Sequence, residues 1–323
     1  MKAVKEHQSW FSLGIIWAGA VISIPSLLVG NALIAGMGLS KVLLVTLAGY
    51  SVIVLLMILQ GIQSTDLGRP TVQVAGQVFG KTGSRTILSI ILAIACLGWF
   101  GIQANVCGAA LADLLAKTGV NMPVPLASLI CGFVMVISAV YGVKVLRVIS
   151  YIAVPLLVGI SIFGLIEALT GDSLQIIQHY KPEGAMSFTD GLAITLGSFA
   201  LGAVIAGTIG TVLAVVGILN YFTPIMSILS AMIPPVAGVM IASYWVLGRG
   251  DKRCWHEVEG VNVLGVVSWL LGAVIASTPV VLSLFPSLPQ VPNQPLIGIV
   301  ISFVVYYAGY RLSAQKSVIL EGK

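Results

Sequence analysis

Between Asp190 and Arg249 the chain runs for 58 residues, Gly191 through Gly248, without a charged side chain. No soluble surface is built that way, so this stretch belongs inside a bilayer. The rest agrees: 58% of the 323 residues are hydrophobic and 8% are charged, against roughly 25% charged in soluble domains. A β-barrel would alternate polar and apolar residues along each strand, and these runs do not. The fold class is therefore all-α, a polytopic membrane helix bundle. The expected spans are 11–38, 40–62, 84–115, 123–142, 144–169, a segment within 190–219, then 221–247, 261–285 and 294–310.

Lys2 and Lys5 precede the first run as they would in a signal peptide. That run is far longer than a 7–15-residue signal core, which makes it an uncleaved span. The net charge of +5 is spread singly over loops, which is topology bias and not a nucleic-acid surface. Arg69, Lys81 and Arg85, then Lys144 and Arg147, place the N-terminus and the loops after the second and fourth spans in the cytoplasm. Loop 170–189, with Asp172, Glu183 and one Lys181, falls outside. The glycine-rich segment Gln63–Arg85 reads as a solvated loop.

Those assignments leave a parity problem. Asp190 belongs outside, whereas Arg249, Lys252 and Arg253 belong inside, so an odd number of crossings must separate them. At about 1.5 Å per residue, the charge-free run reaches about 87 Å, ample for two crossings and cramped for three. Either 191–219 dips in and returns or forms one strained segment, or the 249–253 loop lies outside against the charge bias.

Chemistry-bearing residues are sparse. Asp113 and Glu167 sit near the outer ends of their spans and Asp190 at the start of one, so no carboxylate offers a proton relay at depth. Coupling, where present, points to a cation held by carbonyls and hydroxyls. Cys96, Cys107 and Cys131 read as small buried hydrophobes. Cys254 and His256 share a loop, too few ligands for a metal site. A membrane enzyme would need a cluster of His, Asp, Glu or Cys at depth, and the pattern holds none.

Ile22–Asn31, ISIPSLLVGN, lies in the first span. Pro25 removes a backbone donor and Gly30 weakens a helix. A helix broken there leaves main-chain groups that only protein, a cavity or a ligand can satisfy, and secondary transporters hold substrate and ion at such breaks. A plain kink packed on neighbours is the other reading.

Six stretches, in order, resemble the cytosine/purine permeases of the nucleobase:cation symporter-1 family. They are Ile22–Asn31, the loop Arg69–Arg85 ending FGKTGSR, GWFG at Gly98–Gly101, VISYIAVPL at Val148–Leu156, GSFALGAVIAG at Gly197–Gly207, and SAMIPPVAGVMIASY at Ser230–Tyr244. The last is the most specific. The resemblance spans nearly the whole chain and implies a LeuT-like fold, two inverted five-helix repeats with the first helix of each broken. One permease domain would fill 1–323, with the first repeat in 1–169, the second in 170–247 and the last two spans and tail in 248–323. The second repeat is incomplete. After Thr208 the chain jumps to Ile209–Leu219, IGTVLAVVGIL, which resembles the end of the family's ninth helix. Roughly a quarter of a family member is absent, an internal deletion inside the stretch where parity fails.

The resemblance also implies a site. Trp99 and Phe199 match the tryptophan and phenylalanine that sandwich the substrate ring, and packing between helices is their other reading. Cys96, one turn before Trp99 on the same face, stands where cytosine permeases have a glutamine that reads the substrate edge. Leu201 stands where they have serine, so both departures point away from cytosine itself. Ser198 would offer its hydroxyl or backbone at the break beside Gly197; a bond to its own helix and close packing of Gly197 are the alternatives. Sodium as coupling ion would sit on carbonyls near Ala20 and Ser23, with further groups from an eighth helix this chain lacks. Asn31 closes the first motif. Pro234–Pro235 would hold a half-unwound gate or a plain kink. The expected function is cation-coupled uptake of a nucleobase such as cytosine or a related purine- or pyrimidine-like ring compound, with no cofactor. The alternative is a membrane remnant that inserts or binds ligand without transporting.

Overall fold

The computed structural model describes residues 14–15, 18, 24–141, 143–170, 180–198, 222–283, 287, 289 and 294–321. Regular structure among them is helical throughout. The helices are α1 (Ile24–Gly36), α2 (Leu39–Leu67), α3 (Ser89–Lys117), α4 (Val124–Val140), α5 (Val143–Leu169), α6 (Phe188–Gly197), α7 (Phe222–Met232), α8 (Pro234–Ile241), α9 (Val263–Ser283) and α10 (Pro295–Glu321). Among the described residues six helical stretches are long and apolar enough to cross a membrane: Leu39–Leu67, Lys81–Lys117, Arg147–Leu169, Phe222–Leu247, Val263–Leu282 and Pro295–Ser313. Six of the nine expected spans coincide with these to within a turn or two, because a bilayer fixes length and apolarity more tightly than water does; the expected 123–142 holds a shorter apolar helix, Val124–Val140, and 11–38 and 190–219 lie partly outside the described residues. Exposed residues on α2 such as Leu43, Leu47, Val54, Leu55 and Ile58 would make an aggregating surface in water; here they face lipid.

The chain divides into two compact units. The first comprises 1–39, 96–184 and 202–220. Within it α3 and α4 approach closely, because Gly108 lies directly against the backbone of Ser128. Asn105 Nδ2 donates to Ser128 Oγ at 3.5 Å across the same contact. Small residues let membrane helices meet at backbone distance. The end of α1 is tied to the segment 180–184, which follows α5, by Gly184 N–H on the Ala35 carbonyl at 3.1 Å and by Tyr180 Oη on the Ile34 carbonyl at 3.2 Å.

Two expectations change in this unit. α1 runs unbroken through Gly30 and Asn31, and both are exposed on it. A lone exposed glycine does not stop a helix whose amides have no water to turn to; Ile22 and Ser23, at the start of the motif, lie outside the described residues. Of the three intramembrane cysteines, Cys96 and Cys131 are buried as expected, but Cys107 is exposed.

The second unit comprises 40–95, 185–201 and 221–323. Its core gathers Val74, Val78, Phe79, Leu88, Val239, Met240, Trp269 and Tyr306. Gly272 of α9 lies on the Gly298 carbonyl of α10, and Gly238 of α8 on the Ile299 carbonyl. Segment 63–85 is not the solvated loop expected of its composition. It folds into helical turns, Thr71–Val74 and Gly76–Phe79, and buries Val74, Ala75, Val78 and Phe79. What covers it is the loop 254–262. Lys81 N–H bonds the Val258 carbonyl at 2.7 Å, Thr82 N–H the Gly260 carbonyl at 2.8 Å, and Asn262 N–H the Phe79 carbonyl at 2.9 Å. Gly80, at φ +77°, sits against Gly260 and Asn262 where a side chain would not fit. Trp255 Nε1 donates to the Val74 carbonyl at 3.0 Å, and the Arg69 guanidinium lies 4.7 Å over the Trp255 ring. Asp251 caps the adjoining turn through Arg253, whose side chain holds the carboxyl below the usual carboxylate range.

This clasp decides one arm of the parity problem. Loops 69–85 and 249–262 are fastened together, so they lie on the same side of the bilayer, and the arrangement with 249–253 opposite is excluded. Thr195 of α6 packs on Gly49, ten residues into α2; residues 199–221, on which the number of crossings depends, lie outside the described residues.

Candidate functional site

In the first unit, Cys96 and Trp99 lie on one face of α3, 5% and 7% exposed. The stripe is written in the spacing Ala95, Cys96, Trp99, Ile102, and all four are buried. The GWFG glycines, Gly98 and Gly101, are also buried. Trp99 and Cys96 are thus brought together as the sequence pattern requires. Ala20 and Ser23 lie outside the described residues, as do Phe199 and Leu201.

In the second unit, α6 is 10 residues long, about 15 Å, half a bilayer. Its start is a reciprocal cap: Ser187 Oγ accepts from Asp190 N–H at 3.1 Å and donates to the Asp190 carboxylate. The one carboxylate at the edge of the charge-free run is therefore occupied in starting a helix. The helix closes at Gly197, with Ser198 N–H on the Thr195 carbonyl at 3.3 Å. Gly197 sits directly on the Met226 carbonyl of α7. Ser198 Oγ donates to the Thr195 carbonyl at 2.6 Å and lies 3.5 Å from Tyr50 Oη on α2. Both packing readings of the sequence are realised, and the Tyr50 hydroxyl is a neighbour that sequence reasoning missed. The two residues are 148 positions apart, beyond any local pattern.

Pro234 and Pro235 are both buried, and they interrupt the 222–247 span at Ile233. Neither proline has an N–H to give its preceding turn. The Val236 N–H turns to the Ile233 carbonyl at 3.0 Å. The Met232 carbonyl left behind is taken by the indole N–H of Trp269 on α9, at 3.0 Å. Ser302 of α10 donates to the Pro235 carbonyl at 2.8 Å. The break is thus built and satisfied, more than a bend. After α8 the backbone widens into a π-turn over Ala242–Leu247, a geometry that often marks functional segments of helices. Among the described residues no group of three metal-ligating side chains occurs.

The chain matches the sequence profile of permeases for cytosine/purines, uracil, thiamine and allantoin over residues 2–200 and again over 184–305. No curated protein sequence matches it. Among solved structures, it resembles Mhp1, a nucleobase-cation-symport-1 family transporter, in a closed conformation with bromovinylhydantoin bound: TM-score 0.69 at 16% identity, over 95% of this chain and 92% of that one. An inward-facing conformation of Mhp1 gives TM-score 0.70 at 17% identity, over 95% and 91%. At that identity the likeness establishes the fold, an all-helical, LeuT-like transporter bundle.

Proposed function

This chain belongs to the family of permeases for cytosine/purines, uracil, thiamine and allantoin, and from that premise we propose that it takes up a nucleobase or a related planar ring compound, driven by sodium. Membership places it among the secondary membrane transporters and not in an enzyme class. The finer reading rests above all on the buried Trp99 and Cys96 pair on α3. A buried indole offers a π-face to a flat heteroaromatic ring. Phe199 supplies the opposing face, and Ser198 a polar group at the edge. Cys96 is a weak hydrogen-bond partner, which favours a base other than cytosine. Sodium sits on main-chain carbonyls near Ala20 and Ser23. Pro234–Pro235 act as a gate, with Trp269 and Ser302 holding the closed end of their motion. The N-terminus is cytoplasmic, a reading supported by two loops rich in arginine and lysine meeting in one clasp.

Uptake of labelled cytosine, adenine and allantoin-like compounds into proteoliposomes under an inward sodium gradient tests this. Saturable uptake that disappears without the gradient and in Trp99→Ala is expected. No uptake of any of them, with insertion verified, removes it.

A second reading has its own observation. The family match falls in two pieces that overlap at 184–200, shortly before the internal deletion that the resemblance implies after Thr208. On this reading the chain is a bundle that binds ligand without completing transport. Ligand-induced thermal stabilisation without uptake would single it out.

A further inference from the structure

Two of the cysteines are neighbours across the contact between α3 and α4 in the first unit. Gly108 lies against the backbone of Ser128 there, and Asn105 reaches the Ser128 hydroxyl at 3.5 Å. Cys107 adjoins that glycine on α3, and Cys131 stands one turn beyond that serine on α4. The Cys131 side chain hydrogen-bonds the Cys107 side chain. Cys131 is 9% exposed, whereas Cys107 is open to its surroundings.

A disulfide needs Cβ atoms about 3.5–4.5 Å apart. Helix pairs ordinarily keep their axes about 8–10 Å apart, and short cysteine side chains bridge them best where a small residue draws the backbones in. Gly108 does so here. Cys107 lies ten residues before Lys117 and Cys131 seven after Val124, about 15 Å and 10 Å along their helices. Both thiols are therefore well inside their spans. A charged thiol such as glutathione enters that depth only at high cost; hydrogen peroxide is small and uncharged.

One thiol is reachable and its neighbour is sheltered, which sets an order of events. We propose that Cys107 and Cys131 are a thiol pair that peroxide oxidises to a disulfide, fastening α3 to α4. Peroxide meets Cys107 first: the sulfur takes one peroxide oxygen, the O–O bond breaks and one water leaves, giving a sulfenic acid. The Cys131 sulfur then attacks the Cys107 sulfur. The S–S bond forms, the S–O bond breaks, and the hydroxyl departs with the Cys131 proton as a second water. Two thiols lose two hydrogens, and one peroxide becomes two waters. The reactive form of a thiol is the thiolate, so bilayer depth makes the first step slow. The second step joins groups already in contact, for which effective molarities reach about 10⁵ M, so the sulfenic acid closes before a second peroxide arrives. Trp99 lies about two turns from Cys107 on the same helix, and the tie restrains the segment that carries it. The inference rests on the thiol pair and does not require the transport reading.

The test uses the full chain in nanodiscs, one chain per disc, treated with hydrogen peroxide, alkylated in denaturant and mapped by mass spectrometry. The expected product is the Cys107 and Cys131 peptides joined with the loss of two hydrogens, formed more slowly than the exposed Cys254 is oxidised. Joining should raise the apparent Tm by about 3–8 °C, and a phosphine reductant should reverse it. Dimedone, which traps sulfenic acid, should label Cys107 at least about tenfold more in Cys131→Ser than in the unsubstituted chain. In Cys107→Ser, Cys131 should stay free for alkylation. Mapping the unsubstituted chain needs no variant, should either one fold poorly. Cys107 carried on to sulfinic acid with Cys131 still free overturns the inference. So does a link from Cys107 to any other thiol, both thiols still free once Cys254 is consumed, or a joined chain that melts no higher than the reduced one.

Discussion

The indole of Trp269 donates to the carbonyl of Met232 at 3.0 Å, so a side chain from α9 closes the main-chain gap that Pro234 and Pro235 open in the preceding span. Trp269 is itself 9% exposed, and the bond is made in a region with no competing water. Replacing it with Phe keeps most of the packing and removes the donor. The orphaned carbonyl should cost about 1–3 kcal/mol, seen as a lower apparent Tm in detergent and faster unfolding. If Trp269→Phe melts with the unsubstituted chain, the break does not depend on this bond.

The clasp between 71–83 and 254–262 separates two kinds of contact. Trp255 is bonded to the Val74 carbonyl and covered by Arg69. The Lys81–Glu259 ion pair, at 3.1 Å, is exposed on both sides. Exposed pairs are worth little. Lys81→Ala should therefore leave stability within about 0.5 kcal/mol, while Trp255→Ala loosens the loop and speeds modification of the neighbouring thiol of Cys254, already exposed. Thiol-labelling rates for the two variants decide it; a larger effect from Lys81 would reverse the assignment.

The same clasp predicts topology. With the other cysteines replaced, Cys254 and a cysteine introduced at the exposed Gln73 should react with a membrane-impermeant thiol reagent from the same side, the cytoplasmic one. Both should label in inside-out vesicles and neither in right-side-out ones. Labelling from opposite sides would contradict the backbone bonds between the two loops.

What the sequence disclosed and what it hid divide along sequence distance. Span lengths were legible because a bilayer demands a run of about 20 apolar residues and nothing else does. Cys96 and Trp99 could be put on one face from their spacing alone. Pro234–Pro235 announced an interruption, since two adjacent residues without N–H leave two carbonyls of the preceding turn without their helical bonds. The clasp was hidden because its bonds join segments some 180 positions apart, and a Gly-rich polar stretch looks solvated until its cover is known. At Gly30 itself the helix continues, because a glycine by itself only weakens a helix by about 1 kcal/mol, and the following residues carry α1 onward.

Two glycines of the broken-helix motifs should therefore behave oppositely. Gly197 ends α6 against the Met226 carbonyl, and a Cβ there would collide with main chain rather than a flexible tip. Gly30 faces open space, with nothing within 4 Å of where a Cβ would go. Gly197→Ala must push α6 off α7 and should cost about 1–3 kcal/mol, the range for overfilled cores, or misplace Ser198 and lower substrate affinity. Gly30→Ala relieves the entropy of a helical glycine and should be neutral or stabilising by up to about 1 kcal/mol. Thermal melts of the two, side by side in the same detergent, make the comparison independent of absolute stability. Should Gly30→Ala prove the more damaging, α1 must bend or repack at Gly30 in the working protein, and the continuous helix over Ile24–Gly36 would not be its only conformation.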